Sequence, residues 1–486
     1  MLHLTRILAP LLLWIRFGCT APSAATSEAC KEISTAIPGR VSYPASVAYI
    51  SETSKYWSTV LREIQPACVV LPTSTEQVAI TIQILNRYPD VNFAAKSGGH
   101  DPNPGHGSIQ DGVLIAMREI TGTVYSKDEN IVYVRPGGEW NDVFEALDGQ
   151  GVAVVGGRLG LVGIGGYLLQ GGISFLSSQY GLAGDGVKSW EIVLPNGTIA
   201  NIDAAEQPDL AVALRGSGSQ FGIVTRFAME AHPIGQVWGG IRIYDNKNAD
   251  QIFEALHNFI PNGPEDPKAA IILTNVDAIG GLNPILIFFF YDGPSAPTDG
   301  ALADFIKIPY LSSTTKTQSY ASLTFTVPYL KDHPEMYDEI SKKWKEITAP
   351  YLNSPVALAS QCSVDFQPFP AKIGAESQKR GGNALGISGD DGDRLLLELQ
   401  CAWTSASDDS TLHQMSEDIT NWLEGKLHEW LADEAMEYPY LPWLMNDAMG
   451  DQNVTGKYKD YAKLKSLQAQ IDNKGLFKSR AGGFKY

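Results

Sequence analysis

Apolar and polar positions change period several times along this chain, and each change predicts an element. Cys68-Val-Val-Leu71 is an unbroken apolar run stopped by Pro72, as in a short buried strand. Ser74 with Gln77 fits a capping box ahead of a helix over 78–87, although Ile80, Ile82 and Ile84 alternate and leave a strand open there. Residues 91–95 and 112–117 are strands. So is 131–135, where Ile131, Tyr133 and Arg135 face one way and Val132 and Val134 the other. A short amphipathic helix over 140–147 and a strand over 152–155 follow. Strands 190–194 and 199–202, joined by Pro195-Asn196-Gly197, make a hairpin. A helix over 209–214 and a strand over 223–230 close this half, whereas residues 28–65 show no clean period. Beyond a boundary at 233–239, strands (241–244, 270–275, 285–291, 395–403) interleave with helices (249–259, 336–347, 411–430). That order predicts an α+β domain with an antiparallel sheet.

Three glycine-rich segments interrupt the pattern: Lys96-Ser-Gly-Gly-His100, residues 156–172 and residues 216–222. Alone, the first is an ordinary turn followed by a surface histidine. The second is no linker, because Leu159, Leu161, Val162, Ile164, Leu168 and Leu169 fill it. Without Cβ atoms, Gly98 and Gly99 let the backbone approach a bound group closely, with one imidazole at the rim.

Several chemistries are excluded. The fingerprint G-x-G-x-x-G is out of register at Gly216-x-Gly218 and at Gly163-x-Gly165, so a nicotinamide Rossmann fold fits poorly. No P-loop and no G-x-S-x-G elbow occur. The eight histidines have no metal spacing, and Asp390, Asp391 and Asp393 read as a solvated turn rather than a calcium loop. A formal charge of −17 disfavours nucleic acid and anionic membranes as partners. Arg6, the apolar run 7–15 and the small residues Ala21 to Ala25 resemble a secretion signal over 1–25. Arg16 cuts that run short of a membrane span. Cys19 lies inside it, which leaves four cysteines with three possible connectivities, of which the local one, Cys30–Cys68 with Cys362–Cys401, is expected. Asn196 and Asn453 head glycosylation sequons, although the first also reads as the hairpin turn.

Taken in order, six motifs resemble the FAD-linked oxidases of the p-cresol methylhydroxylase type, in the berberine-bridge-enzyme-like group. They are Cys68-Val-Val-Leu-Pro-Thr-Ser, Lys96-Ser-Gly-Gly-His100, Val162-Gly-Ile-Gly-Gly166, Gly171-Gly-Ile-Ser, Tyr180-Gly-Leu-Ala-Gly-Asp-Gly-Val187 and Gly216-Ser-Gly-Ser-Gln-Phe-Gly-Ile-Val224. The tail Asn446-Asp447, Gly475-Leu-Phe477 and Gly482-Gly-Phe484 is similar too. The resemblance implies an α+β protein with an FAD-binding domain of two α+β subdomains over 66–237 and residues 26–65 packed on it. A substrate domain with an antiparallel sheet flanked by helices would span 238–435, and 436–486 would return to the FAD domain.

It further implies that Lys96, Ser97, Gly98, Gly99, Val162, Gly163 and Gly166 approach the diphosphate. Gly171, Gly172, Asp185, Val187, Gly222, Ile223, Val224 and Asn446 complete the cofactor site, and His100 bonds covalently to the flavin C8-methyl. The chain departs from the pattern twice. Residues 157–163 lack the second flavin-linked cysteine, and Leu444 stands where relatives place a catalytic tyrosine. Tyr438, Tyr440 and Asp447 are the candidate bases in its place, and Gln367, Pro368 and Asn383 border the substrate by looser analogy. The expected protein is a secreted oxidase of an alcohol, amine or phenolic carbon in a small specialised metabolite, with O2 as acceptor and no metal. Coupled cyclisation fits the same pattern. Two alternatives stand beside it, a carbohydrate oxidase and a flavin-binding scaffold without turnover.

Overall fold

The computed structural model describes residues 22–278, 283–318, 326–328, 335–354, 360–403, 405–433 and 439–486. Tyr438 and most of the proposed secretion signal lie outside them. Three sheets organise the described chain. In the first, strands Cys68–Val70 and Phe93–Lys96 flank Val113–Ala116 in parallel, with Val41–Ser42 antiparallel at one edge. Parallel strands need a crossover, and the helix Thr75–Leu85 supplies it. Its N-terminus differs from the expected capping box. Ser74 Oγ accepts from Gln77 N at 3.4 Å, but the Gln77 side chain accepts from Thr73 N at 2.8 Å instead of closing on Ser74.

The second sheet is antiparallel, in the order Thr123–Ser126, Ile131–Val134, Ile223–Glu230, Val187–Val193, Ile199–Asp203. The hairpin Val187–Val193/Ile199–Asp203 is the one read from Pro195-Asn196-Gly197, with Gly197 at φ +80°. The expected strand at 152–155 shrinks to Val152–Ala153, paired with His232–Pro233. The third sheet is a long antiparallel one in which Ala269–Ala278, Gln361–Phe369 and Arg394–Ala402 lie side by side. The helices Ala249–Asn262, Met336–Leu352 and Asp409–Asp433 each run beyond the ranges expected from periodicity.

Residues 28–65 were opaque to pattern reading, yet they hold most of the helix Ala24–Ala36 and all of the helix Val47–Ser54. The first starts inside the segment assigned to the secretion signal, and Ser23 Oγ caps it by accepting from Thr26 N at 3.0 Å. Cys30 on this helix bonds to Cys68, and Cys362 bonds to Cys401 across neighbouring strands, so the local connectivity is the one present. Among the described residues no helix is long and apolar enough to cross a membrane.

Candidate active site

The three sheets and the C-terminal segment meet around a cavity with about 230 Å³ of space for water. One wall is backbone. Strand Phe93–Lys96 delivers the chain into Ser97-Gly98-Gly99-His100, which lies against residues 162–166. A Cβ on Gly98 would sit 2.6 Å from Gly163 Cα, and one on Gly163 would sit 2.3 Å from Gly98 N, so the two chains touch main chain to main chain. Ser97 fastens them: its hydroxyl donates to Pro136 O and accepts from Gly165 N at 3.1 Å. A Cβ on Gly166 would meet nothing within 4 Å, because this glycine opens onto the cavity. Val162, Gly222, Ile223 and Val224 line the same wall.

Lys96 contributes backbone only. Its ammonium is buried away from the cavity, donates to Glu52 O at 2.5 Å, and lies 4.1 Å from the centre of the Tyr56 ring. Burial lowers its pKa to about 8, and the Glu52 charge opposes that.

Two histidines face the cavity. The His100 ring stacks on Trp57, and its Nε2 has no hydrogen-bond partner among the described residues. Burial holds this imidazole below its ordinary pKa, against the pull of Asp101. His106 was dismissed on metal spacing alone. Its Nδ1 lies 2.9 Å from Asp101 Oδ2 and its ring meets Phe484 edge-on at 4.8 Å.

Another part of the cavity is charged and half-buried. Arg158, Glu398 and Asp447 line it. Behind them, Arg158 donates to Gln367 Oε1, and Asp365, which pairs with Glu398 across the strands, accepts from Gln400 at 2.5 Å. Burial pushes the Asp447 carboxyl up to about 6, with Arg158 pulling the other way. It pushes Asp365 up to about 7, against hydrogen bonds to Thr274 and Gln400 and the charge of Arg158. Burial also drives Glu398 well above the usual carboxylate range. The charges of Asp447 and Asp365 add to the rise, and Arg158 opposes it. Paired carboxyls with raised pKa beside a cavity are the proton-transfer equipment expected of an active site.

The remaining candidates lie elsewhere. Tyr440 does not border the cavity: its hydroxyl donates to Leu385 O and accepts from Lys459 N at 3.0 Å, and its carbonyl accepts from Arg394 at 3.0 Å. Gly171 and Gly172 sit behind the wall: Gly171 adopts φ +109° among Leu182, Leu385 and Leu444, and a Cβ on Gly172 would strike the Tyr167 ring. Leu444 is itself buried core. Asn446 lines the cavity and also clamps the tail to that wall, accepting from Gly172 N at 2.9 Å and donating to Tyr167 O at 3.3 Å. Asp185 is a buried pin, accepting from Leu182 N and from Asn383, and Val187 O accepts from Arg215. Asn383 is thus spent on Asp185, and only Gln367 of the looser candidates touches the site.

Arg158 and Glu398 were missed. Glu398 had a legible signal, a lone charge after the apolar run Leu395-Leu396-Leu397 on a core strand. Arg158 had none.

The donor set fits FAD. A main-chain wall left bare at Gly166 can take up a diphosphate without a lysine or arginine, and the unpartnered His100 Nε2 waits on the same wall.

Comparison with known proteins agrees. Residues 66–203 match an FAD binding domain. An uncharacterised FAD-linked oxidoreductase of Arthroderma benhamiae is 31% identical over 92% of this chain and 92% of its own. The FAD-dependent monooxygenase sdcF of Emericella nidulans is 31% identical over 94% of this chain and 98% of its own. The bifunctional solanapyrone synthase of Alternaria solani is 27% identical over 96% and 91%. In fold, the chain is similar to a BBE-like protein of Physcomitrella patens (TM-score 0.69, 18% identity, 92% and 97% covered). It is also similar to 6-hydroxy-D-nicotine oxidase of Arthrobacter nicotinovorans (0.68, 17%, 91% and 96%) and to Phl p 4, a glucose dehydrogenase (0.72, 16%, 94% and 100%). The chain therefore belongs to the FAD-linked oxidoreductases.

Proposed function

We propose that the protein is a secreted, histidyl-FAD oxidase that takes hydride from an alcohol, amine or phenolic carbon of a small metabolite and delivers the electrons to O2 as H2O2. Bound FAD would supply the two-electron redox chemistry. The chain's part is to hold the cofactor on the glycine wall, exclude water and move one proton. Glu398 and Asp447 suit that last task. Both carboxyls border the cavity, and Asp447 Oδ2 has no hydrogen-bond partner among the described residues, so it can meet a substrate O–H or N–H. Once ionised, either accepts the proton as hydride leaves the neighbouring carbon. Arg158 beside them favours the ionised form that can take the proton.

The observation that carries the reading is one cavity lined both by a bare backbone wall and by half-buried ionisable carboxyls of raised pKa. A metabolite substrate is supported by the relative named for solanapyrone synthesis. Secretion is supported by the two disulfides and by the apolar run 7–15. The glucose-oxidising neighbour keeps a sugar substrate in view, but Leu444 and the thiol-free segment 157–163 speak against it. A scaffold without turnover would have no use for such carboxyls at the cavity.

H2O2 release on a panel of alcohols, amines, phenols and sugars tests the reading. Turnover of a non-sugar, lost in Glu398→Gln, supports it. Turnover of sugars alone overturns the substrate class, and silence on the whole panel favours the scaffold.

A further inference from the structure

We propose that Trp57, a residue outside every glycine motif, positions the His100 ring for its bond to the flavin. The inference rests on the histidyl-FAD reading of this same site. The two rings stack with centroids 4.7 Å apart and planes 15° from parallel. Trp57 is tied to the motif it serves, since its N–H donates to Gly99 O at 3.0 Å. The preceding residue is anchored as well: the Tyr56 hydroxyl donates to Gly107 O at 3.0 Å, and Tyr56 O accepts from Arg62 at 3.0 Å. Gly99 permits this approach. It sits at φ +72°, and a Cβ there would lie 2.9 Å from Lys55 O and 3.1 Å from the Tyr56 ring.

An imidazole is usually oriented by a hydrogen bond to one ring nitrogen. His100 Nε2 has none among the described residues, and the ring's one hydrogen bond is to its own backbone, so the stack on the indole plane adds a restraint on the ring's tilt. Trp57 remains 63% exposed, and so large an aromatic left in solvent contributes little to a core. Its stack with His100 is its one ring contact among the described residues.

Joining the ring to the C8-methyl breaks one imidazole N–H and one methyl C–H, forms one N–C bond, and needs O2, which leaves as H2O2 with both hydrogens. Orientation governs the rate of such a step, because the lone pair must point at the methyl carbon.

The test compares wild type, Trp57→Ala, Trp57→Phe and His100→Ala, each produced without flavin and then given FAD in air. Bound flavin is read at 450 nm, and attached flavin is the fraction that stays with the acid precipitate over time. Trp57→Ala should bind as much flavin as wild type but attach it about five-fold more slowly, the scale of one lost ring stack. Trp57→Phe should restore most of the rate. Attachment by Trp57→Ala at the wild-type rate overturns the role of Trp57 alone. Release of flavin by wild type itself overturns the histidyl link and the inference with it.

Discussion

The two ends of the cavity are built on opposite principles. At the glycine end the cofactor site we propose is main chain, and side chains are excluded: Gly98 and Gly163 touch so closely that a single Cβ would separate them. At the carboxylate end the site is side chain, and three acids of raised pKa share one arginine. A backbone site tolerates no addition. A buried charged site tolerates no unbalanced removal. Substitutions at the two ends should therefore fail in different ways.

The largest effect is expected at the contact of main chains. Gly163→Val puts a carbon 2.3 Å from Gly98 N, far inside van der Waals contact, and should abolish flavin binding, read as loss of 450 nm absorbance in the purified protein. Full flavin content in this variant would break the idea of a backbone cradle.

Next comes Glu398→Gln, which keeps shape and removes a proton acceptor. Turnover should fall by about 10²–10⁴-fold, the usual contribution of a general base, with flavin content unchanged. The same acids set a pH profile. Asp447 titrates at about 6 and Glu398 well above its ordinary range, so both are neutral in acid and become acceptors as pH rises. Rates should climb with pH from about 6 upward, and a rate that falls over that range would assign the proton transfer elsewhere.

Stability should move the other way, and by less. Asp365 is raised to about 7 and Asp447 to about 6, so the folded chain holds protons that the unfolded chain releases near pH 4. The contribution of these two groups to stability is greatest below pH 4, declines as pH rises towards 7, and levels off above it. Asp365→Asn should flatten part of that decline and raise the apoprotein melting temperature at pH 8 by about 2–4 °C. Melting curves of both proteins between pH 4 and pH 8 check this.

Smallest of all is Tyr440→Phe. Its hydroxyl joins Leu385 O to Lys459 N, far from the chemistry. Turnover should be unchanged and stability lower by about 1 kcal/mol.

The same contrast explains what could be read from the chain. A backbone wall writes itself as contiguous glycines, so Ser97 to His100, Val162 to Gly166 and Gly222 to Val224, which meet at one cavity, stand out in the sequence. The hairpin at Pro195-Asn196-Gly197 was legible for the same local reason. A side-chain site is assembled by topology. Arg158 and Glu398 are 240 positions apart, and only the meeting of the long antiparallel sheet with the tail brings them to one cavity. Asp447 was found through the tail motif. Tyr440, seven residues before it and offered on the same reasoning, proved to be packing. Trp57 escaped because residues 28–65 carry no period, being short helical pieces and the two-residue strand Val41–Ser42 joined by loops.

The most direct test of the divided cavity is one preparation of Glu398→Gln, assayed for 450 nm flavin content and for H2O2 release on a substrate that wild type turns over. Wild-type flavin content with turnover lowered at least a hundred-fold is the expected result. Flavin lost together with turnover, or turnover untouched, would contradict the assignment of cofactor holding and proton transfer to separate ends.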